Sequence, residues 1–118
     1  MSFLLLIVEP VGQRASRSEA EGRAAYDVMV EYADRLKQRG KLVFAQALSA
    51  ERTRLQVRDG RASTFKPVDG PFAEAKEMVG GFFLLENVTR EEALAIAADC
   101  PAAQFATVEV RELGPCFT

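Results

Sequence analysis

Apolar and polar positions divide the chain into segments of two different periods. Phe3 to Val8 is an unbroken apolar run closed by Glu9-Pro10. It predicts a strand covered on both faces, or nearly so. Pro10 to Ser18 is polar, contains Gly12 and reads as a loop. Beyond it, Ala25, Val28, Met29, Tyr32 and Leu36 recur at helical intervals, opposite Glu31, Asp34, Arg35 and Lys37. Ser18 and Glu21 have capping-box spacing, Glu31 and Arg35 form an i,i+4 pair, and Gly40 stands where a C-terminal cap glycine belongs. Together they predict a helix over residues 19–39. Leu42 to Leu48 predicts a second strand. Arg54 to Arg58 alternates with period two and runs into Asp59-Gly60, a two-residue hairpin signal, with Arg61 to Phe65 as the return arm. Lys66 to Phe72 is a Pro/Gly loop, and 74–79 is polar with room for one helical turn. Gly80-Gly81 then leads into an apolar strand, Phe82 to Glu86. Thr89 and Glu92 repeat the capping box and start a helix through Asp99, with Ala93, Ile96 and Ala97 inward and Pro101 ending it. Phe105 to Leu113 is the last strand.

The order β-α-β, hairpin, β-α-β predicts a single α+β domain over 1–118. Its architecture is the ferredoxin-like split βαβ: an antiparallel sheet with both helices on one face and an inserted β-hairpin. Two helices cannot cover both faces, yet Phe3–Val8 and Phe82–Leu85 have no polar face. The bare face is then an apolar patch larger than a monomer normally exposes. Burying a few hundred Å2 of it, at ~25 cal/mol per Å2, yields roughly 5–10 kcal/mol before association costs. A homodimer packed through the sheets is expected.

Composition narrows the chemistry. The 118 residues carry 15 Lys plus Arg against 17 Asp plus Glu, a formal net charge of −2. That balance argues against a non-specific nucleic-acid binder. No apolar run approaches the ~18 residues of a membrane span, and no secretory leader pattern opens the chain. Cys100 and Cys116 fit reduced thiols in a cytoplasmic protein. There is no histidine, which removes the commonest general base and metal ligand. Metal-ligand spacing is absent and no cofactor is implied, so chemistry falls to carboxylates, Lys, Arg, Tyr, Cys or Ser.

Packing alone does not explain Asp69-Gly70-Pro71-Phe72-Ala73-Glu74-Ala75-Lys76-Glu77 followed by Gly80-Gly81-Phe82. The segment resembles the signature of the DGPF proteins, a branch of the YCII-related family. The opening strand, Arg39-Gly40-Lys41-Leu42, Cys100-Pro101 and Val108-Glu109-Val110-Arg111 look similar too, so the resemblance spans nearly the whole chain. It departs at Ala75, where Thr is frequent, and in lacking the His of the His/Asp pair associated with the wider family. The resemblance implies a dimeric α/β-barrel with a small pocket near the dimer interface. It also implies either proton transfer or elimination on a small acidic or aromatic metabolite, or a non-catalytic interaction or sensor role beside a sigma factor or another regulator.

Several residues carry alternatives. Asp69 is either a turn residue bonding nearby backbone N–H groups or, with its pKa raised in a pocket, a general base. Glu74, Lys76 and Glu77 are either a solvated charge cluster or a site in which Lys76 binds an anionic group and Glu77 orients it. Glu109 and Arg111, two apart on a strand, share a face with Phe105, Thr107 and Leu113. They form either a structural ion pair, for instance with Lys76 and Glu77, or an anion grip in which Arg111 lines the pocket. The arginines of the hairpin (Arg52, Arg54, Arg58, Arg61) read as a solvated edge.

Overall fold

A computed structural model describes residues 1–64 and 76–117. Strand β1 (Phe3–Pro10) leads through a short 3-10 turn, Arg14–Ser16, to helix α1 (Glu19–Gln38) and then β2 (Leu42–Ala47). A hairpin of β3 (Leu55–Arg58) and β4 (Arg61–Thr64) follows, then β5 (Glu77–Leu85), α2 (Arg90–Ala98), a 3-10 turn at Pro101–Gln104 and β6 (Thr107–Glu112). The order β2-β5-β1-β6, antiparallel throughout, is the ferredoxin-like arrangement. The hairpin forms a two-stranded sheet of its own, turning through Asp59 and Gly60 at positive φ.

Both helices begin where their sequence signals place them. The Ser18 and Thr89 hydroxyls accept from the N–H of Glu21 and Glu92, whose carboxylates accept in return from the cap N–H groups. The backbone bond at Ser18 is the leading cause that holds the Glu21 carboxyl below the usual carboxylate range, and Thr89 does the same for Glu92. Gly40 has φ +72, which lets the chain leave α1 in a left-handed conformation and enter β2.

Strict alternation sorts β1 between two environments. Phe3, Leu5, Ile7 and Glu9 are buried beneath the helices, while Leu4, Leu6 and Val8 are half-buried on the opposite face. Phe3, Leu5, Phe83 and Leu85 pack with Tyr32 and Leu36 of α1 and Ala93, Ile96 and Ala97 of α2. The Tyr32 ring meets Phe83 edge-on at 5.4 Å, and its hydroxyl donates to the Ile96 carbonyl. Burial, with Cys100 and Asp99 adding to it, pushes the Tyr32 hydroxyl pKa upward.

The region before Phe82 differs from the sequence reading. Of the helical turn expected over 74–79, residues 74 and 75 lie outside the described residues and Lys76 is in 3-10 conformation, but Glu77 to Gly81 is already strand and pairs with Pro10 to Ile7. The register slips between Ile7 and Val8: Gly81 faces Ile7, Val79 faces Val8, and Gly80 is the extra residue of a β-bulge. Polarity misled the reading here, because Met78 faces the core while Glu77 and Val79 lie exposed.

Candidate functional site

Size changes along the helix-facing side of the sheet. Large side chains fill the end near Phe3, whereas Ala45, Ala47, Gly80 and Gly81 succeed them toward the other end. There α1 contributes Gly22, Ala25 and Ala33. A side chain at Gly22 would enter open space. The result is a cavity of about 510 Å3 between α1 and the sheet, lined also by Tyr26, Met29 and Phe105.

Glu9 and Arg14 stand in its wall. The sheet register turns Glu9 toward the helices, and the Arg14–Ser16 turn brings Arg14 back over it. Arg14 Nε lies 3.0 Å from Glu9 Oε2, and Nη2 lies 2.8 Å from Oε1, a two-pronged pair. Nη1 donates to the Leu48 carbonyl at 2.7 Å and Nη2 to that of Gly80 at 3.1 Å, so one guanidinium ties β1, the end of β2 and the bulge together. The Glu9 side chain is only 9% exposed and that of Arg14 35%. Gly80 is what makes room: a Cβ there would overlap Glu9 Oε1 and stand 2.9 Å from Arg14 Nη2.

Four further polar residues line the cavity, Gln13, Arg17, Asp34 and Gln46. Gln13 donates from Nε2 to the Phe105 carbonyl at 2.8 Å, and its Oε1 is buried without a hydrogen-bond partner among the described residues. The Arg17 guanidinium lies 4.5 Å from the Phe105 ring centroid. Among the described residues no group of three His, Cys, Asp or Glu could hold a metal ion, and no helix is long and apolar enough to cross a membrane.

The residues singled out in the sequence fall elsewhere. Asp69 and Glu74 lie outside the described residues. Lys76 is exposed, and its carbonyl accepts from the Val11 N–H at 2.6 Å. Glu77 is exposed opposite Pro10. Glu109 and Arg111 are exposed on the open face, opposite Leu6 and Leu4. The partners of Glu77 and Arg111, Pro10 and Leu4, stand six positions apart on β1, about 20 Å at strand rise, so Lys76 and Glu77 do not converge with Arg111. Sequence reasoning missed Glu9, Gln13, Arg14 and Arg17. A signal existed for Glu9 alone, which continues the two-residue period Phe3, Leu5, Ile7 onto the core face. Arg14 and Arg17 lay in a polar stretch with no periodicity.

Against known proteins, the chain matches a solved structure of 5-chloro-2-hydroxyhydroquinone dehydrochlorinase (TftG) from Burkholderia phenoliruptrix AC1100, in complex with 2,5-dihydroxybenzoquinone. The TM-score is 0.53 at 20% identity, covering 97% of this chain and 94% of that one, a likeness of fold. Comparison with curated proteins finds no match. The model of the YCII-related domain matches residues 1–116, and the chain therefore belongs to the YCII-related domain family.

Proposed function

We propose that the cavity beneath α1 takes a small, mainly planar metabolite and that the domain carries out proton transfer or elimination on it, with Glu9 as the proton acceptor. The observation that carries this reading is the Glu9–Arg14 pair set into the wall of a 510 Å3 cavity that is otherwise mostly apolar. Moving a proton from the metabolite to Glu9 moves a negative charge the other way. Arg14 adjoins both positions, so it keeps an anion beside it before and after the step. The electron pair left on the metabolite enters its conjugated system or, in an elimination, expels a leaving group as its anion. The dehydrochlorinase of the same fold, named for such an elimination on a small aromatic compound, supports this reaction class.

The test compares the wild-type protein with Glu9→Gln on 5-chloro-2-hydroxyhydroquinone, following chloride release and ligand binding separately. The variant is expected to bind and to lose about 10^2-fold or more in turnover. A folded Glu9→Gln protein with undiminished turnover removes Glu9 from the role. Asp69 is the competing carboxylate, and Asp69→Asn in the same assay decides between them. A second reading, a ligand-sensing module linked to a sigma factor or another regulator in the cytoplasm, is favoured by the commitment of both Glu9 oxygens to Arg14. Binding of the probe with no turnover, together with a stable protein partner, supports that alternative.

The open sheet face supports a homodimer. Leu4, Leu6, Val8, Phe82 and Leu84 are half-buried there, and Phe44 at the edge is 51% exposed. Light scattering is expected to give about twice the 13.0 kDa chain mass at micromolar concentration. A monomer mass overturns this assembly.

A further inference from the structure

The two arginines in the cavity wall are in opposite states. Arg14 has committed its donors to Glu9 and two carbonyls. The Arg17 guanidinium makes no hydrogen bond or salt bridge among the described residues, and Glu21, which feels its charge, is engaged with Ser18. Arg17 is nevertheless held: its guanidinium rests on the Phe105 ring at 4.5 Å, and the Phe105 carbonyl takes the hydrogen bond from Gln13. A stacked, half-buried guanidinium with uncommitted donors loses little freedom when it meets an anion. Beside it, the Gln13 amide oxygen is a buried acceptor without a partner among the described residues, a cost that a hydrogen-bond donor on a ligand would relieve.

We infer that Arg17 and Gln13 set the ligand specificity of the cavity: the ligand is a small planar hydroxy-acid or hydroxyquinone, its anionic oxygen on the Arg17 guanidinium and a hydroxyl donating to Gln13 Oε1. Its ring then lies toward Tyr26 and Met29, the large side chains that α1 brings to the same cavity. The inference rests on the cavity being the binding site, and it adds a requirement for charge and for a donor.

Calorimetric titration with three probes tests it: 2,5-dihydroxybenzoate, benzoate and neutral benzamide. The wild-type protein is expected to prefer benzoate to benzamide by about tenfold or more, and dihydroxybenzoate to benzoate by a further fewfold. Arg17→Gln should erase the acid-over-amide preference and Gln13→Leu the hydroxyl preference, while each leaves the other intact. Retention of the acid preference in a folded Arg17→Gln protein overturns the anion assignment, and retention of the hydroxyl preference in Gln13→Leu overturns the donor assignment. Ala25→Phe, which fills the cavity, separates this inference from the reading beneath it. If Ala25→Phe blocks every probe while the Arg17 and Gln13 variants change nothing, the cavity stands and the specificity inference falls. If Ala25→Phe changes no affinity, or no probe binds the wild-type protein at millimolar concentration, both fall.

Discussion

The two ends of the helix-facing side of the sheet share strands and α1, yet one is filled and the other is hollow. At the Phe3 end, four large side chains from β1 and β5 interdigitate with Tyr32, Leu36 and α2. At the Glu9 end, glycine and alanine on β5 and β2 face small residues of α1, and α2 contributes nothing to the cavity wall. Backbone geometry alone does not make the difference, since α1 runs continuously over both ends. Side-chain volume does, and the charged pair occupies the end where volume was given up. The filled end supplies stability, and the hollow end presents two carboxylates, Glu9 and Asp34, and two guanidinium groups to whatever enters.

The largest effect is expected at the filled end. Leu36→Ala removes a buried side chain from close packing and should cost about 2–5 kcal/mol in urea unfolding. A loss below about 1 kcal/mol would show that this end is no better packed than the other. At the hollow end, Gly80→Ala drives a methyl group into Glu9 and should cost about 1–3 kcal/mol. Glu9→Ala alone strands Arg14, whose partial exposure keeps the loss near the lower part of that range. The double variant should be milder than the sum of the two, because truncating the Glu9 side chain leaves room for the new methyl group. Strictly additive losses would refute the steric account.

A matched pair of enlargements sharpens the contrast. Ala93→Leu in the filled end should destabilise by about 1–3 kcal/mol, whereas Ala25→Leu at the cavity should change unfolding by less than about 1 kcal/mol. Equal losses would mean that the hollow end collapses as readily as it stands open. The smallest effect concerns neither end but the helix caps. The Glu21 and Glu92 carboxyls are both depressed in the folded protein. Their contribution is therefore present above the ordinary carboxylate pKa and fades as pH falls through the lower folded value. Wild-type protein should lose its advantage over Glu92→Gln on acidification below about pH 4 in denaturant midpoints. An advantage unchanged down to about pH 2 would assign the cap to hydrogen bonding that is indifferent to charge.

The framework of helices and strands was legible in the sequence because its rules are local or periodic. Both capping boxes, Gly40 and the Asp59-Gly60 hairpin sit where spacing puts them. The alternation of Val108 and Val110 against Glu109 and Arg111 also holds. The hollow end was not legible. Its cavity depends on small residues from separated segments, none of which signals a void by itself. Glu9 looked like the polar stop of an apolar strand, although counting by two from Phe3 puts it under the helices. Arg14 and Arg17 act through a turn and through an aromatic platform far along the chain at Phe105, contacts that no local pattern encodes. The charged signature segment drew the reading toward Lys76 and Arg111, but strand register, a long-range property, keeps those two apart.

The slip at Gly80 also bears on how this chain can change length. Val79 now sits beside Val8 and Met78 beside Glu9. Removing Gly80 would leave Val79 beside Val8 and Met78 beside Glu9 in an unbroken ladder, but it would take away the bulge and with it the carbonyl that accepts from Arg14 and from the Leu48 N–H beneath the cavity. A single-codon deletion is thus a graver change here than most substitutions. Descendants that keep the cavity should hold the spacing between Met78 and Phe82 fixed while tolerating additions at the tip of the β3–β4 hairpin.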